Sequence, residues 1–287
     1  MKISFLNDST VGYGADLTMR CYYNQAKKRG FEVGFNVIDE SIEFYIIGMI
    51  YKGTEDKLKK HLKPMKYIYI EHSIELVLPE KEWIREWLIP NAYKLLFFSP
   101  RHRTHIQDAL PSVQKHLVID NYEYVVVPID YNFFKRQDGF VRQKNLYIYV
   151  GLIHSNKGII EILDIAKKNP ENKYVFMGTT DNGDIGIETI KECDNVRYIG
   201  HQPPDVVRQY YSKAHGCYLL PTNGAVESAG RTVLEAMLCG CKPEVNNDVG
   251  NASYSWFWTY DRGVVIQKIN ESLDVFFKIL SNGIKGV

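Results

Sequence analysis

The chain has 287 residues, with 35 Lys and Arg against 34 Asp and Glu and 45% hydrophobic residues. At roughly 150 residues per domain, this length suggests two domains, each able to bury its own core. Ordinary hydrophobicity with a net charge of +1 excludes a disordered chain. It also argues against a general nucleic-acid binder, which carries a basic surplus to neutralise phosphates. Neither half is a charged tail: 19 basic and 18 acidic residues precede residue 140, and 16 of each follow it.

Five cysteines (Cys21, Cys193, Cys217, Cys239, Cys241) are odd in number and scattered, so they read as buried thiols in a reducing compartment. Cys239-Gly240-Cys241 has no distant partner pair of the kind a zinc site needs. The N-terminal stretch turns polar after about six residues, too soon for a signal peptide. No apolar run approaches the ~20 residues that span a bilayer. A soluble, cytoplasmic protein is expected.

In chain order, strands are predicted over 2–6, 31–37, 44–49, 67–70, 94–98 and 124–127, with helices between them over 15–29, 55–62, 80–88 and 102–110. Strand and helix alternating across short connections predict a parallel sheet covered on both faces. The alternation halts at Pro128-Ile129-Asp130 and a charged stretch that includes Lys135, Arg136 and Asp138. A domain boundary is placed there, giving domains 1–135 and 136–287, with the final helix a candidate to pack back on the first domain. The pattern then restarts, with strands over 146–150, 174–177, 196–199, 217–220, 242–245 and 264–266. Helices are expected over 157–168, 185–193, 205–212, 230–238 and 271–280. The fold class is α/β, two doubly wound Rossmann-like domains in tandem, and ligands of such sheets bind beyond the carboxyl ends of the strands. The cleft between the domains is the expected active site.

Lys57, Lys59, Lys60, Lys63 and Lys66 form a basic cluster, readable as a solvated helix face or as a peripheral contact for a membrane surface or anionic acceptor. His102 and His105 stand at H-x-x-H spacing without an evident third ligand, and no D-x-D motif occurs, so no metal site is expected.

Two segments carry the chemistry. Gly12-Tyr13-Gly14 follows the first strand and opens the first helix, but Leu17 occupies the third glycine position of a dinucleotide fingerprint. That glycine permits close helix–sheet packing, so a nicotinamide-dependent oxidoreductase is disfavoured and a glycine turn for close ligand approach remains. The second segment is Glu227-Ser228-Ala229-Gly230-Arg231, between a strand ending near Leu220 and a helix starting near Gly230. Backbone N–H groups of Ser228, Ala229, Gly230 and Arg231 at a helix N-terminus make a ready anion site. Arg231 in the first turn opposes the helix macrodipole by ~0.3–1 kcal/mol, which an anion bound there would offset. Glu227 precedes the helix and Glu235 lies about 7 Å along it at 1.5 Å per residue, so two carboxylates can address two sides of a bound diphosphate.

Glu227 and Glu235 are spaced as in the E-x7-E motif of retaining glycosyltransferases of the two-domain GT-B fold, close to family 4. The resemblance extends through Gly151, Lys157 and Gly158, through Gly12-Tyr13-Gly14-Ala15, through His72 after its strand, and through Pro128-Ile129-Asp130. It covers nearly the whole chain and is densest over 145–250. It implies an N-terminal acceptor-side domain and a C-terminal nucleotide-sugar domain. By resemblance, Glu227 and Lys157 contact the donor's sugar and diphosphate, Glu235 holds the ribose, and His72 touches the transferring sugar. Two positions depart from the family pattern. Leu152 stands where an arginine usually pairs with the lysine, and Ala229 stands where phenylalanine is usual. The expected activity is sugar transfer from a nucleoside diphosphate to a saccharide, lipid or protein acceptor, with retention and without metal or cofactor. The alternative is a non-catalytic nucleotide-sugar-binding partner of another enzyme.

Overall fold

The computed structural model describes residues 2–9, 14–72, 82–109, 121–180 and 187–286. They divide into two compact units, one of residues 1–128 with 269–287 and one of residues 129–268. The first cut therefore falls at 128/129, seven residues before the expected position, and the chain's last segment belongs to the N-terminal unit.

Unit 1 is built on six parallel strands in the order β2-β1-β3-β4-β5-β6. These are β1 (Lys2–Leu6), β2 (Glu32–Phe35), β3 (Phe44–Ile47), β4 (Tyr67–Glu71), β5 (Lys94–Phe97) and β6 (Tyr122–Tyr124). Every residue of β3 and β4 is buried, as the unbroken runs FYII and YIYIE require when both sheet faces are covered. Helices α1 (Gly14–Lys28), α2 (Lys52–His61) and α3 (Pro100–Ala109) connect strands. Between β4 and β5 the chain forms a π-helix, Ile84–Leu88, where an α-helix over 80–88 was expected; residues 80 and 81 lie outside the described set.

Unit 2 holds five parallel strands in the order β11-β10-β7-β8-β9. They are β7 (Gln143–Val150), β8 (Lys173–Met177), β9 (Val196–Tyr198), β10 (Ala214–Leu219) and β11 (Lys242–Val245). The helices are α4 (Ile159–Lys168), α5 (Ile187–Lys191), α6 (Pro204–Lys213) and α7 (Arg231–Leu238). In α4, Ile159, Ile162, Leu163 and Ala166 are buried at the spacing of one helical face, with Glu161 in the first turn and Lys167 and Lys168 in the last. The helix expected from 157 is divided: a short 3-10 turn, Ser155–Lys157, ends at Gly158, whose φ of 76° marks the left-handed conformation.

The strand expected over 264–266 is helical, part of α8 (Arg262–Lys285). Its β-branched run favours strand locally, but Asp261 Oδ1 accepts the Gly263 and Val264 N–H groups at 2.6 and 3.2 Å and caps a helix. Val265, Ile269, Leu273, Phe276 and Leu280 are buried at helical spacing and carry the period onward. The later part of α8 belongs to unit 1, where Phe276 stacks on Tyr22 with centroids 4.2 Å apart. Ser272 Oγ also accepts the Val126 N–H at 2.7 Å. An aromatic pair of this kind adds about 0.5–1.5 kcal/mol beyond its buried area.

All five cysteines are free thiols, four of them buried and Cys21 partly so. Among the described residues no helix is long and apolar enough to cross a membrane, and no cluster of three or more His, Cys, Asp or Glu is disposed to hold a metal ion.

Candidate active site

In unit 2 the order β11-β10-β7 brings three loops together beyond the carboxyl ends of the strands. The first leaves β7 at Val150. Ile153 forms a parallel bridge with Thr180, and His154 accepts the Asn156 N–H through Nδ1 at 3.2 Å, turning the chain into the Ser155–Lys157 helix. The second loop leaves β10 and is tied to the first. Thr222 donates its N–H to Asn156 O and its hydroxyl to Ser155 O, both at 3.1 Å. A Cβ on Gly158 would fall 2.0 Å from Leu220 O, so only glycine lets the two loops approach this closely.

This approach joins side chains 70 residues apart. Lys157 Nζ donates to Glu227 Oε2 at 2.7 Å, each side chain being about a quarter exposed (28% and 25%). The Glu227 carboxylate raises the Lys157 pKa above its ordinary value, and partial burial opposes the rise. Eight residues beyond Glu227, on α7, Glu235 accepts from Arg231 Nε at 2.8 Å. Both are nearly buried, with side-chain exposures of 13% and 7%. Burial raises the Glu235 pKa, and the Arg231 guanidinium pulls it back down. The negative charge that Arg231 calls for at the start of a helix is thus supplied, in this structure, by Glu235 one turn along. The expected donor-site residues Ser228, Ala229 and Gly230 connect the two pairs. Gly230 has φ 70° and caps α7, and a Cβ there would fall 2.6 Å from Val249 Cγ1.

The third loop follows β11 and braces the second. Glu227 donates its N–H to Asp248 O at 2.9 Å and accepts the Gly250 N–H at 2.7 Å, a parallel bridge opposite Val249. Asn251 donates its side-chain amide to Ala229 O, and Asn246 donates to Pro221 O at 2.7 Å. Sequence reasoning missed these residues, and it missed Tyr149. The Tyr149 hydroxyl donates to Leu152 O at 2.6 Å, and its pKa rises through burial and the nearby Glu227 charge. A strand tyrosine reads as core from sequence. The polar run Asn246-Asn247-Asp248 directly after a strand was the available signal for the brace.

The remaining candidates lie in unit 1. His72 follows β4, its ring set edge-on to Phe98 at 5.1 Å and facing Gly48, where a Cβ would fall 3.0 Å from Nε2. Burial lowers its pKa to about 3, with the charge of His102 adding to the effect, so the imidazole is neutral at pH 7. Gly14 opens α1 and accepts the Thr18 hydroxyl at 2.7 Å. Gly12 lies outside the described residues. Lys57, Lys60 and Lys63 are exposed along and just after α2, whereas Lys59 pairs with the buried Glu55 at 2.6 Å.

No curated protein sequence matches the chain. Residues 130–256 match the family model described as Glycosyl transferases group 1. Among solved structures, the chain is similar to sucrose-phosphate synthase from Thermosynechococcus elongatus, with TM-score 0.70, 14% identity and coverage of 99% of this chain and 96% of that one. HepE of Anabaena, in complex with UDP and glucose, aligns with TM-score 0.68 and 14% identity over 98% of this chain and 99% of that one. AviGT4, a glycosyltransferase involved in avilamycin A biosynthesis, aligns with TM-score 0.66 and 12% identity over 100% of this chain and 98% of that one. The protein accordingly has the GT-B fold of glycosyltransferases, and its segment 130–256 carries the sequence pattern of the group 1 glycosyl transferases.

Proposed function

We propose that the protein is a retaining, metal-independent glycosyltransferase that moves a sugar from a nucleoside-diphosphate sugar to an acceptor hydroxyl. The observation that carries this reading is the Lys157–Glu227 pair at 2.7 Å beyond β7 and β10, inside the segment that matches the group 1 glycosyl transferases. Unit 2 takes the donor and unit 1 the acceptor side. Negative charge grows on the diphosphate as its bond to the sugar breaks, and a fixed cation facing that charge is the largest expected catalytic contribution. Lys157 supplies it, with Arg231 and the first turn of α7 as the further positive elements. Glu227 accepts sugar hydroxyls, Glu235 serves the ribose side, and neutral His72 contacts the transferring sugar. The acceptor oxygen attacks the face the diphosphate leaves, and the departing phosphate oxygen takes the acceptor proton. The configuration is therefore retained without a protein nucleophile.

A thermal-shift panel of UDP-, GDP- and ADP-sugars, followed by transfer assays in EDTA, tests the reading. A donor at 100 times its Kd stabilises by about 2.7 kcal/mol. Release of nucleoside diphosphate with retained anomeric configuration in EDTA supports the mechanism, and activity restored only by Mg²⁺ or Mn²⁺ sinks it. Leu152 and Ala229, at positions where the family pattern has arginine and phenylalanine, favour a second reading as a non-catalytic nucleotide-sugar binder. That reading requires binding without transfer. HepE was solved with UDP, so UDP-sugars head the panel.

A further inference from the structure

The carboxylate of Glu227 can serve a reaction only if its backbone is held, and the loop that holds it is the one after β11. This loop fastens the segment 221–230 at three places. Asn246 secures its start, donating to Pro221 O at 2.7 Å while its own Oδ1 accepts the Asp248 N–H at 3.1 Å. Asp248 and Gly250 then grip Glu227 from both sides of its peptide, at 2.9 and 2.7 Å. Beyond them Asn251, with 0% exposure, donates its amide to the Ala229 carbonyl.

Asn251 is costly where it stands. Its Oδ1 is buried without a hydrogen-bond donor among the described residues. A buried amide oxygen left unpaired is destabilising, and an apolar side chain of similar size would avoid the penalty. What an apolar residue cannot supply is the N–H that fixes Ala229, two residues beyond Glu227. We propose that Asn251 is a positioning residue for Glu227, acting through Ala229 and together with the Asp248–Gly250 grip, so that the loop after β11 sets where the carboxylate stands against Lys157. The inference rests on the donor-site reading of Lys157 and Glu227. Misplacement of a reacting group by about 1 Å can cost 10²-fold in rate, so a residue outside the reacting shell can control turnover.

The test compares wild type with Asn251→Ala, and with Asn246→Ala at the less buried end of the loop in case the first variant fails to fold. UDP-glucose turnover, UDP affinity by calorimetry and hydrogen exchange at the Glu227 amide are read on each protein, with GDP- and ADP-glucose as parallel donors. The expected result is kcat lower by 10- to 100-fold, nucleoside-diphosphate Kd within threefold, and faster exchange at the Glu227 amide. Equal losses in kcat and affinity together with a lowered Tm overturn the proposal, since that is what a merely structural residue produces. Unchanged kcat overturns it as well. If wild type binds and turns over none of the three donors, the glycosyltransferase reading fails by itself. Exchange at Glu227 then still decides the brace, and unchanged protection in both variants rejects it.

Discussion

Arg231 and Glu235 face each other one turn apart on α7, Nε to Oε1 at 2.8 Å, with most of both side chains out of water. The arrangement resolves a local conflict. A cation in the first turn of a helix opposes the macrodipole, and a carboxylate buried by 95% of its residue surface resists ionisation. Each group makes the other tolerable. The pair also ties the start of α7 to its own second turn, next to the segment that carries Glu227.

Removing one partner should therefore cost more than removing both. Glu235→Ala removes the carboxylate that this mostly buried guanidinium faces, and breaking such a pair typically costs about 3–5 kcal/mol. The Arg231→Ala/Glu235→Ala double variant should recover part of that loss. Urea unfolding of the wild type, both single variants and the double variant gives the coupling directly, and simple additivity would contradict the pairing.

The pH dependence of the same carboxylate has a definite sign. Burial raises the pKa of Glu235 in the folded protein above its ordinary 4.5, so the folded state holds this proton to higher pH than the unfolded chain does. The contribution of Glu235 to stability therefore falls as pH rises from 4.5 through the raised value. Glu235→Gln should remove that downward slope in denaturation measured from pH 4.5 upward, at whatever cost to absolute stability.

His72 should act in the opposite direction. Its folded pKa of about 3 lies below the ordinary 6.5, so the unfolded chain binds the proton first and stability is lost as pH falls from 6.5 toward 3. His72→Gln should flatten the stability profile of the protein across that window. Identical slopes for variant and wild type would show that the imidazole is not held neutral.

Gly158 is a steric prediction independent of any function. Its φ of 76° suits glycine, and an added Cβ would meet Leu220 O at 2.0 Å. Gly158→Ala should lose more than about 1 kcal/mol from the backbone conformation alone, with overpacking adding roughly 1–3 kcal/mol. The same change at Gly53, where a Cβ meets nothing within 4 Å, is the control. Equal melting temperatures for the two variants would mean that the 155–158 and 220–222 segments do not approach as described.

Lys157 connects stability with binding. Its raised pKa means that the stability Lys157 contributes through its charge is fully present below the ordinary 10.5 and is lost as pH rises through the folded value. Lys157→Met should weaken nucleoside-diphosphate binding about tenfold or more, the usual size of a charged hydrogen bond at 1.5–3 kcal/mol. Calorimetry with UDP at two salt concentrations checks it, since the charge-dependent part should shrink as salt rises.

The features legible in the sequence were those with short-range causes. Unbroken apolar runs such as FYII and YIYIE marked buried parallel strands. The spacing of Glu227 and Glu235 and the Lys157-Gly158 turn were visible for the same reason, because one loop or one helix turn holds each of them. Sequence periodicity failed at 264–266, where three β-branched residues favour a strand and the Asp261 cap with a helical burial pattern prevails.

Long-range pairing was decided only by the tertiary structure. The order β11-β10-β7 makes neighbours of loops that begin after residues 150, 219 and 245. That adjacency chose Glu227 as the partner of Lys157 across 70 residues, and it set Asn251 against Ala229. Within the first unit Phe276 stacks on Tyr22, a contact no local pattern announces. Local sequence determines which elements form and where their loops turn. Which side chains meet at those turns depends on strand order, and strand order is fixed by burial summed over the whole sheet.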